Sequence, residues 1–139
     1  MSSKRGGVQF WDTSALVALV FQEPQTSTAL KAGQAAKRYL AWEWIQVEAH
    51  AALYRRGARP EQLKSLRILL DNFQYIATDS EDYPALVKIM EKHRFRAADA
   101  GHLFCLRQAQ KLIPDVTFVC FDEELVHAAE REGVAVFKK

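Results

Sequence analysis

Cysteine is scarce in this chain, with Cys105 and Cys120 the only two among 139 residues. They form neither a Cys-x-x-Cys pair nor a dense framework, which excludes a thiolate zinc site and a disulfide-stapled fold. They read instead as small buried hydrophobes in a reducing cytosol. Glycine and proline are also few, at 6 and 4, so the bias of fibrous or disordered chains is missing. No apolar run approaches the ~18 residues of a membrane-spanning helix; the longest covers residues 15–21. After Lys4-Arg5, the stretch Val8-Gln9-Phe10-Trp11 meets Asp12 too soon for a secretory segment. The expectation is therefore a cytoplasmic protein with no membrane association. Charge of one sign is lacking too: 19 Lys and Arg against 17 Asp and Glu leave +2, too little to argue nucleic-acid binding from the total. Basic residues gather only locally, as Arg55, Arg56 and Arg59 and as Lys92, His93, Arg94 and Arg96, where a phosphate backbone could be met.

What is present is the composition of an ordinary globular domain, 49% hydrophobic and 26% charged. The length suits one domain over 1–139, with 1–6 expected as a flexible tail, and a core large enough to need no staple. Short apolar runs alternate with helical patterns. Strands are expected at 8–11, 38–41, 73–77, 116–121 and 134–137. Helices are expected at 15–21, after the capping residues 12–14, then up to 32, and at 44–56, 60–72, 80–93, 98–111 and 123–132. The run Val116-Thr117-Phe118-Val119-Cys120-Phe121 has no polar alternation, as expected of a central strand covered on both faces. Strands separated by helices require parallel pairing with crossover connections. The expected fold is thus α/β, three layers, with a central parallel sheet of four to five strands covered by helices on both faces.

Ligands in such a sheet collect beyond the carboxyl ends of the strands, where Asp12 and Asp122 fall. Each also has an ordinary account, as the cap of the following helix. Glu48 lies on the helical arc of Trp44, Ile45, Ala51 and Ala52, a charge within an apolar face. It must pair, neutralise or bind a cation; Arg55 or another base is one partner, a metal ion the other. Asp99 repeats the anomaly on a stripe with Leu103 and Leu106, although an acid in a first helical turn is also favoured by the helix dipole. Four acids from separate segments with no basic partner in their motifs would repel one another. A divalent cation relieves that repulsion, and oxygen-only donors suit Mg²⁺ or Mn²⁺.

The chain resembles the PIN-domain ribonucleases, most closely the VapC toxins of toxin–antitoxin pairs. The resemblance is carried by Phe10-Trp11-Asp12-Thr13-Ser14-Ala15-Leu16-Val17, by Val47-Glu48-Ala49 and by Arg96-Ala97-Ala98-Asp99-Ala100-Gly101-His102-Leu103. It continues through Phe118-Val119-Cys120-Phe121-Asp122-Glu123-Glu124-Leu125 and residues 128–134. It spans nearly the whole chain, and Cys120 stands where the family commonly has a small hydroxyl residue. It implies a PIN-like fold and a Mg²⁺- or Mn²⁺-dependent endoribonuclease that leaves 5′-phosphate and 3′-hydroxyl ends. Asp12, Glu48 and Asp99 would be the principal catalytic, metal-holding acids and Asp122 the more variable fourth. Thr13 and Ser14 would support them, and His102 would orient a carboxylate. Because acids repel RNA, flanking cations such as Arg55, Arg56, Arg94 and Arg96 would supply affinity. A small antitoxin partner and a homodimer formed partly by the 60–72 helix are likewise implied. A non-catalytic RNA- or protein-binding relative and a housekeeping RNA-processing nuclease remain alternatives. A phosphoaspartyl phosphatase fits less well, because Asp12-Thr13-Ser14 lacks the second Asp that would act as its general acid. A receiver domain would want an acid pair that is also missing.

Overall fold

The computed structural model describes residues 7–138; the tail expected over 1–6 lies outside the described residues. Five strands, β1 (Val8–Trp11), β2 (Arg38–Trp42), β3 (Phe73–Ile76), β4 (Thr117–Val119) and β5 (Ala135–Val136), form one sheet in the order β3-β2-β1-β4-β5. Every pairing is parallel. Between them run α1 (Thr13–Val20), α2 (Thr26–Ala35), α3 (Ile45–Arg55), α4 (Pro60–Leu70), α5 (Tyr83–His93), α6 (Ala97–Leu112) and α7 (Glu123–Arg131). The expected three-layer arrangement is present.

Side-chain alternation along the strands divides the core between the two faces. Phe10, Leu40 and Phe118 pack with Leu103, Leu106, Leu125 and Ala129 of α6 and α7. On the opposite face Ala41 packs with Leu16, Ile45, Leu53 and Leu66 of α1, α3 and α4, and Trp11 and Val119 pack with Ala15 and Ala32. Gln9 is a polar residue in the middle of the central strand and fully buried. Both ends of its amide are satisfied: Nε2 donates to the Ala32 carbonyl at 2.8 Å and Oε1 accepts from Trp11 Nε1 at 2.8 Å. A buried amide is tolerated on those terms.

The structure shortens several expected elements. β4 ends at Val119 rather than 121, because the next peptides serve other partners. The Val119 carbonyl accepts from Asp12 N at 3.2 Å, and Phe121 N donates to Ser14 Oγ at 2.9 Å. β5 is only Ala135–Val136 and α4 stops at Leu70. The helix expected from 80 begins as a single 3-10 turn, Ser80–Asp82, capped by the Asp79 carboxylate, before α5 proper. α5 closes on Arg94 at φ 59°, a left-handed residue that turns the chain toward α6.

Candidate active site

The strand order places a switch point between β1 and β4: the chain leaves β1 toward β2 on one side and reaches β4 on the other. Loops part there and leave a crevice at the carboxyl edge. A concave pocket of about 360 Å³ opens at this place, lined among others by Asp12, Thr13, Ser14, Glu48, Arg96, Asp99, His102 and Asp122. The four carboxylates come from the β1–α1 junction, α3, α6 and the β4–α7 junction. Arg56, Glu23 and Gln25 complete part of the rim.

Each acid is held by local structure. Asp12 caps α1: its Oδ1 accepts from Ala15 N at 3.4 Å and from Ser14 Oγ at 2.8 Å. Ser14 thereby ties the end of β1 to the end of β4, because the same hydroxyl receives Phe121 N. Asp122 caps α7 by accepting from Glu124 N and Leu125 N at 3.1 and 3.3 Å. The capping account is therefore correct for both strand-end acids; a carboxylate capping through one oxygen retains a second. Glu48 is half-buried, and the base beside it is His102, not Arg55. His102 Nε2 lies 2.7 Å from Glu48 Oε1, and Thr13 Oγ1 donates to the same oxygen at 2.5 Å. An ionised carboxylate only accepts, so Nε2 carries the proton of this bond. His102 is 2% exposed, stands edge-on to Trp42 with ring centroids 5.2 Å apart, and its buried Nδ1 has no hydrogen-bond partner.

Electrostatics separates these acids. Burial pushes the Asp12 carboxyl above its ordinary value, against the opposing effect of nearby His102 and the Ser14 hydroxyl. Burial also raises Asp99, helped by the neighbouring Asp122 carboxylate and only partly opposed by Arg96. Burial would raise Glu48 as well, but His102 and Thr13 outweigh it and hold that carboxyl low. The cation nearest Asp99 is Arg96, at Nε–Oδ2 3.7 Å with the arginine side chain 86% exposed; a pair so exposed neutralises little. The pocket thus carries more negative charge than its own cations balance.

Residues 10–131 match the PIN domain. The chain belongs to the PIN-domain family. No curated protein matches it in sequence. Among solved structures it is similar to the crystal structure of PAE2754 from Pyrobaculum aerophilum, at a TM-score of 0.61 and 20% identity over 94% of this chain and 91% of that one. At that identity the likeness speaks for the fold. PIN domains are generally nucleases and typically use divalent metals, so the pocket of this PIN domain must be tested against such an ion.

Among the described residues, no three His, Cys, Asp or Glu side chains converge into a ready-made ligand cage. Mg²⁺, however, keeps several waters and is held by one or two carboxylates together with substrate phosphate oxygens, rather than by an all-protein cage. An open wall of hard oxygen donors with unbalanced charge, two of whose acids are pushed toward neutrality by burial and one of those also by a neighbouring carboxylate, fits that mode. Asp12, Asp99 and Asp122, with Glu48 steadied by His102, are the residues that fit the ion.

Of the cations expected to flank the site, Arg96 and Arg56 lie on the pocket. Arg56 is engaged there by Glu23 Oε2 at 2.6 Å and by the Phe21 ring, 3.9 Å from its guanidinium carbon. Arg55 and Arg94 are exposed and lie outside the pocket lining. Sequence reasoning missed Glu23 and Gln25 on the rim. Only Glu23-Pro24, which breaks the helix there, hinted that this loop turns back over the carboxyl edge. It also missed Trp42 as a wall for His102. Gly101 was the available sign: a Cβ on it would lie 2.1 Å from the Trp42 ring. Cys120 backs the site, its Sγ 3.4 Å from Asp122 N, with its thiol pushed up by burial and by Asp12. No helix among the described residues is long and apolar enough to cross a membrane.

Proposed function

We propose that this PIN domain is a Mg²⁺- or Mn²⁺-dependent endoribonuclease, the toxin of a toxin–antitoxin pair. The observation that carries the reading is the meeting, in one pocket, of Asp12, Glu48, Asp99 and Asp122 from four distant segments. Burial raises Asp12 and Asp99, the latter with help from the Asp122 carboxylate, while His102 and Thr13 hold Glu48 low. A divalent ion, when bound, supplies Lewis acidity toward a phosphoryl oxygen and lowers the pKa of its water. The chain's own part is orientation: Ser14 fixes the Asp12 carboxylate, His102 and Thr13 fix one oxygen of Glu48, and Arg96 and Arg56 bring positive charge to the rim where a phosphate would enter. The Thr13 and Ser14 hydroxyls and the His102 Nε2 are all engaged with carboxylates here, so none of them stands free as a nucleophile. That suits a reaction whose nucleophile is a water.

A partner and a homodimer belong to the same proposal. An apolar cavity of about 560 Å³ on the α2–α4 side, bordered by Leu30, Ile68 and Leu69, is the surface such a protein partner would cover. Leu30 and Ile68 are 50% and 56% exposed.

The deciding experiment incubates purified protein with total RNA and Mg²⁺ or Mn²⁺, alongside EDTA and Asp99→Asn, and maps product ends. Discrete cuts with 5′-phosphate ends, abolished in both controls, are expected. Wild type and Asp99→Asn behaving alike under both metals would leave a PIN fold used for binding alone.

A further inference from the structure

A second concavity, of about 290 Å³, runs between α5 and α6. Lys88 and Lys92 of α5 and Arg107 and Lys111 of α6 line it, over a floor that includes Phe104. Its one carboxylate, Glu132, is spent on the inner side: it pairs with Lys92 Nζ at 2.8 Å, with His93 Nε2 at 3.0 Å and with Arg107 Nη1. Those partners, Lys92 first, hold its carboxyl at about 2 against the opposing effect of burial. Lys88 and Lys111 have no carboxylate partner among the described residues. The Nε of Arg107 is buried without a hydrogen-bond partner. Low-dielectric walls around unbalanced positive charge focus the field on an anion.

We propose that this groove holds the sugar–phosphate backbone of single-stranded RNA at a distance from the cleavage pocket, and so sets how much of the substrate the protein grips. The inference rests on the RNA-cleaving function proposed above. Two observations select nucleic acid among anions. Cations that share a groove with an aromatic ring are what single strands bind, phosphates on the charges and bases on the ring. The groove also continues from the pocket: Arg96, on the pocket, and Lys92, on the groove, are four residues apart across the turn between α5 and α6, and both are exposed. A strand leaving the carboxylates past Arg96 crosses that turn onto Lys92, Arg107 and Lys111.

The test measures anisotropy of a labelled single-stranded oligoribonucleotide bound to the full chain carrying Asp99→Asn, with and without the pair Lys88→Gln and Lys111→Gln, from about 50 to 200 mM salt. Lys31→Gln, an exposed lysine on α2 away from the groove, is the control. Each phosphate contact adds roughly 0.7 to the log–log salt slope of a single strand. Losing two lowers the slope by about 1.4, so the four-fold salt rise costs the double variant about seven-fold less affinity than its parent. On the active background the same pair raises KM with kcat unchanged, and Lys31→Gln changes neither. Wild type cutting RNA while slope and KM stay put in the double variant overturns the groove alone. A wild type that neither binds nor cuts RNA with either metal overturns the function on which it rests.

Discussion

Replacing Gly101 by alanine is expected to damage this protein, although alanine is ordinarily the better helix former. A Cβ at 101 would lie 2.1, 2.3 and 2.6 Å from three carbons of the Trp42 indole. That indole cannot swing aside freely: its Nε1 donates to Thr78 Oγ1 at 3.1 Å and its ring meets His102 edge-on. Overpacking of this kind costs up to ~3 kcal/mol. The lost Trp42–Thr78 bond adds ~1 kcal/mol, and the gain in helix propensity returns ~1 kcal/mol. The net is about 3 kcal/mol, which at this chain length lowers Tm by roughly 10 °C. The assay is a thermal melt followed by tryptophan fluorescence, for Gly101→Ala, Trp42→Leu and the pair. Because the damage is one contact, the double variant is expected to cost at least ~1.5 kcal/mol less than the two singles together. A Gly101→Ala protein melting within a degree or two of wild type, or strictly additive singles, would refute the proposition that Trp42 is wedged against α6.

The remaining outcomes concern charge. The folded protein holds Asp12 and Asp99 above their ordinary values, so their stabilising contribution is complete below the unfolded value of 3.8 and is lost as pH rises through the folded value. Asp99→Asn is therefore expected to raise Tm at neutral pH while abolishing cleavage, and Mg²⁺ to raise Tm for wild type but not for Asp99→Asn, both read in parallel melts. Glu132 behaves oppositely, since a carboxyl depressed to about 2 contributes stability above 4.5 that fades as pH falls toward 2. Glu132→Gln should cost ~2 kcal/mol in urea melts at pH 7 and measurably less at pH 4; an equal cost at both would contradict the ion cluster. Removing the donor to Glu48 with His102→Ala is expected to lower metal-dependent cleavage by about 10–100-fold, through weaker metal affinity, with His102→Gln recovering part of it. A metal titration of cleavage rate checks this, and equal metal requirements in wild type and His102→Ala would oppose it.

Much of the carboxylate pocket was legible in the chain because two of its acids broke a local rule and two stood at a telling position. Glu48 put a charge on an apolar arc, Asp99 did so on the stripe of Leu103 and Leu106, and Asp12 and Asp122 stood where parallel strands end. Periodicity and capping are properties of neighbours in sequence, and they located every strand and helix to within a few residues. What stayed hidden depends on groups brought together only by tertiary structure. The base beside Glu48 is His102, 54 positions away, whereas sequence offered the nearer Arg55. The run Lys92, His93, Arg94, Arg96 looked like one basic patch. Instead His93 turns inward to Glu132, 39 positions on, Arg94 spends its backbone on a left-handed turn, and Arg96 alone reaches the pocket. β4 ended early for the same reason, its outgoing peptide being claimed by Ser14 across the crevice.

The middle position of β1 also has a temporal side. Gln9 pairs with Thr117, and Ser14 holds Phe121, each more than a hundred positions later in the chain. During synthesis at about 5–20 residues per second, Asp12 waits roughly 5–20 s for Asp122 to be joined to the growing chain. Until then the crevice has one wall. A chain of this PIN domain caught before β4 is made therefore lacks the assembled pocket, and with it whatever chemistry the four carboxylates carry out together.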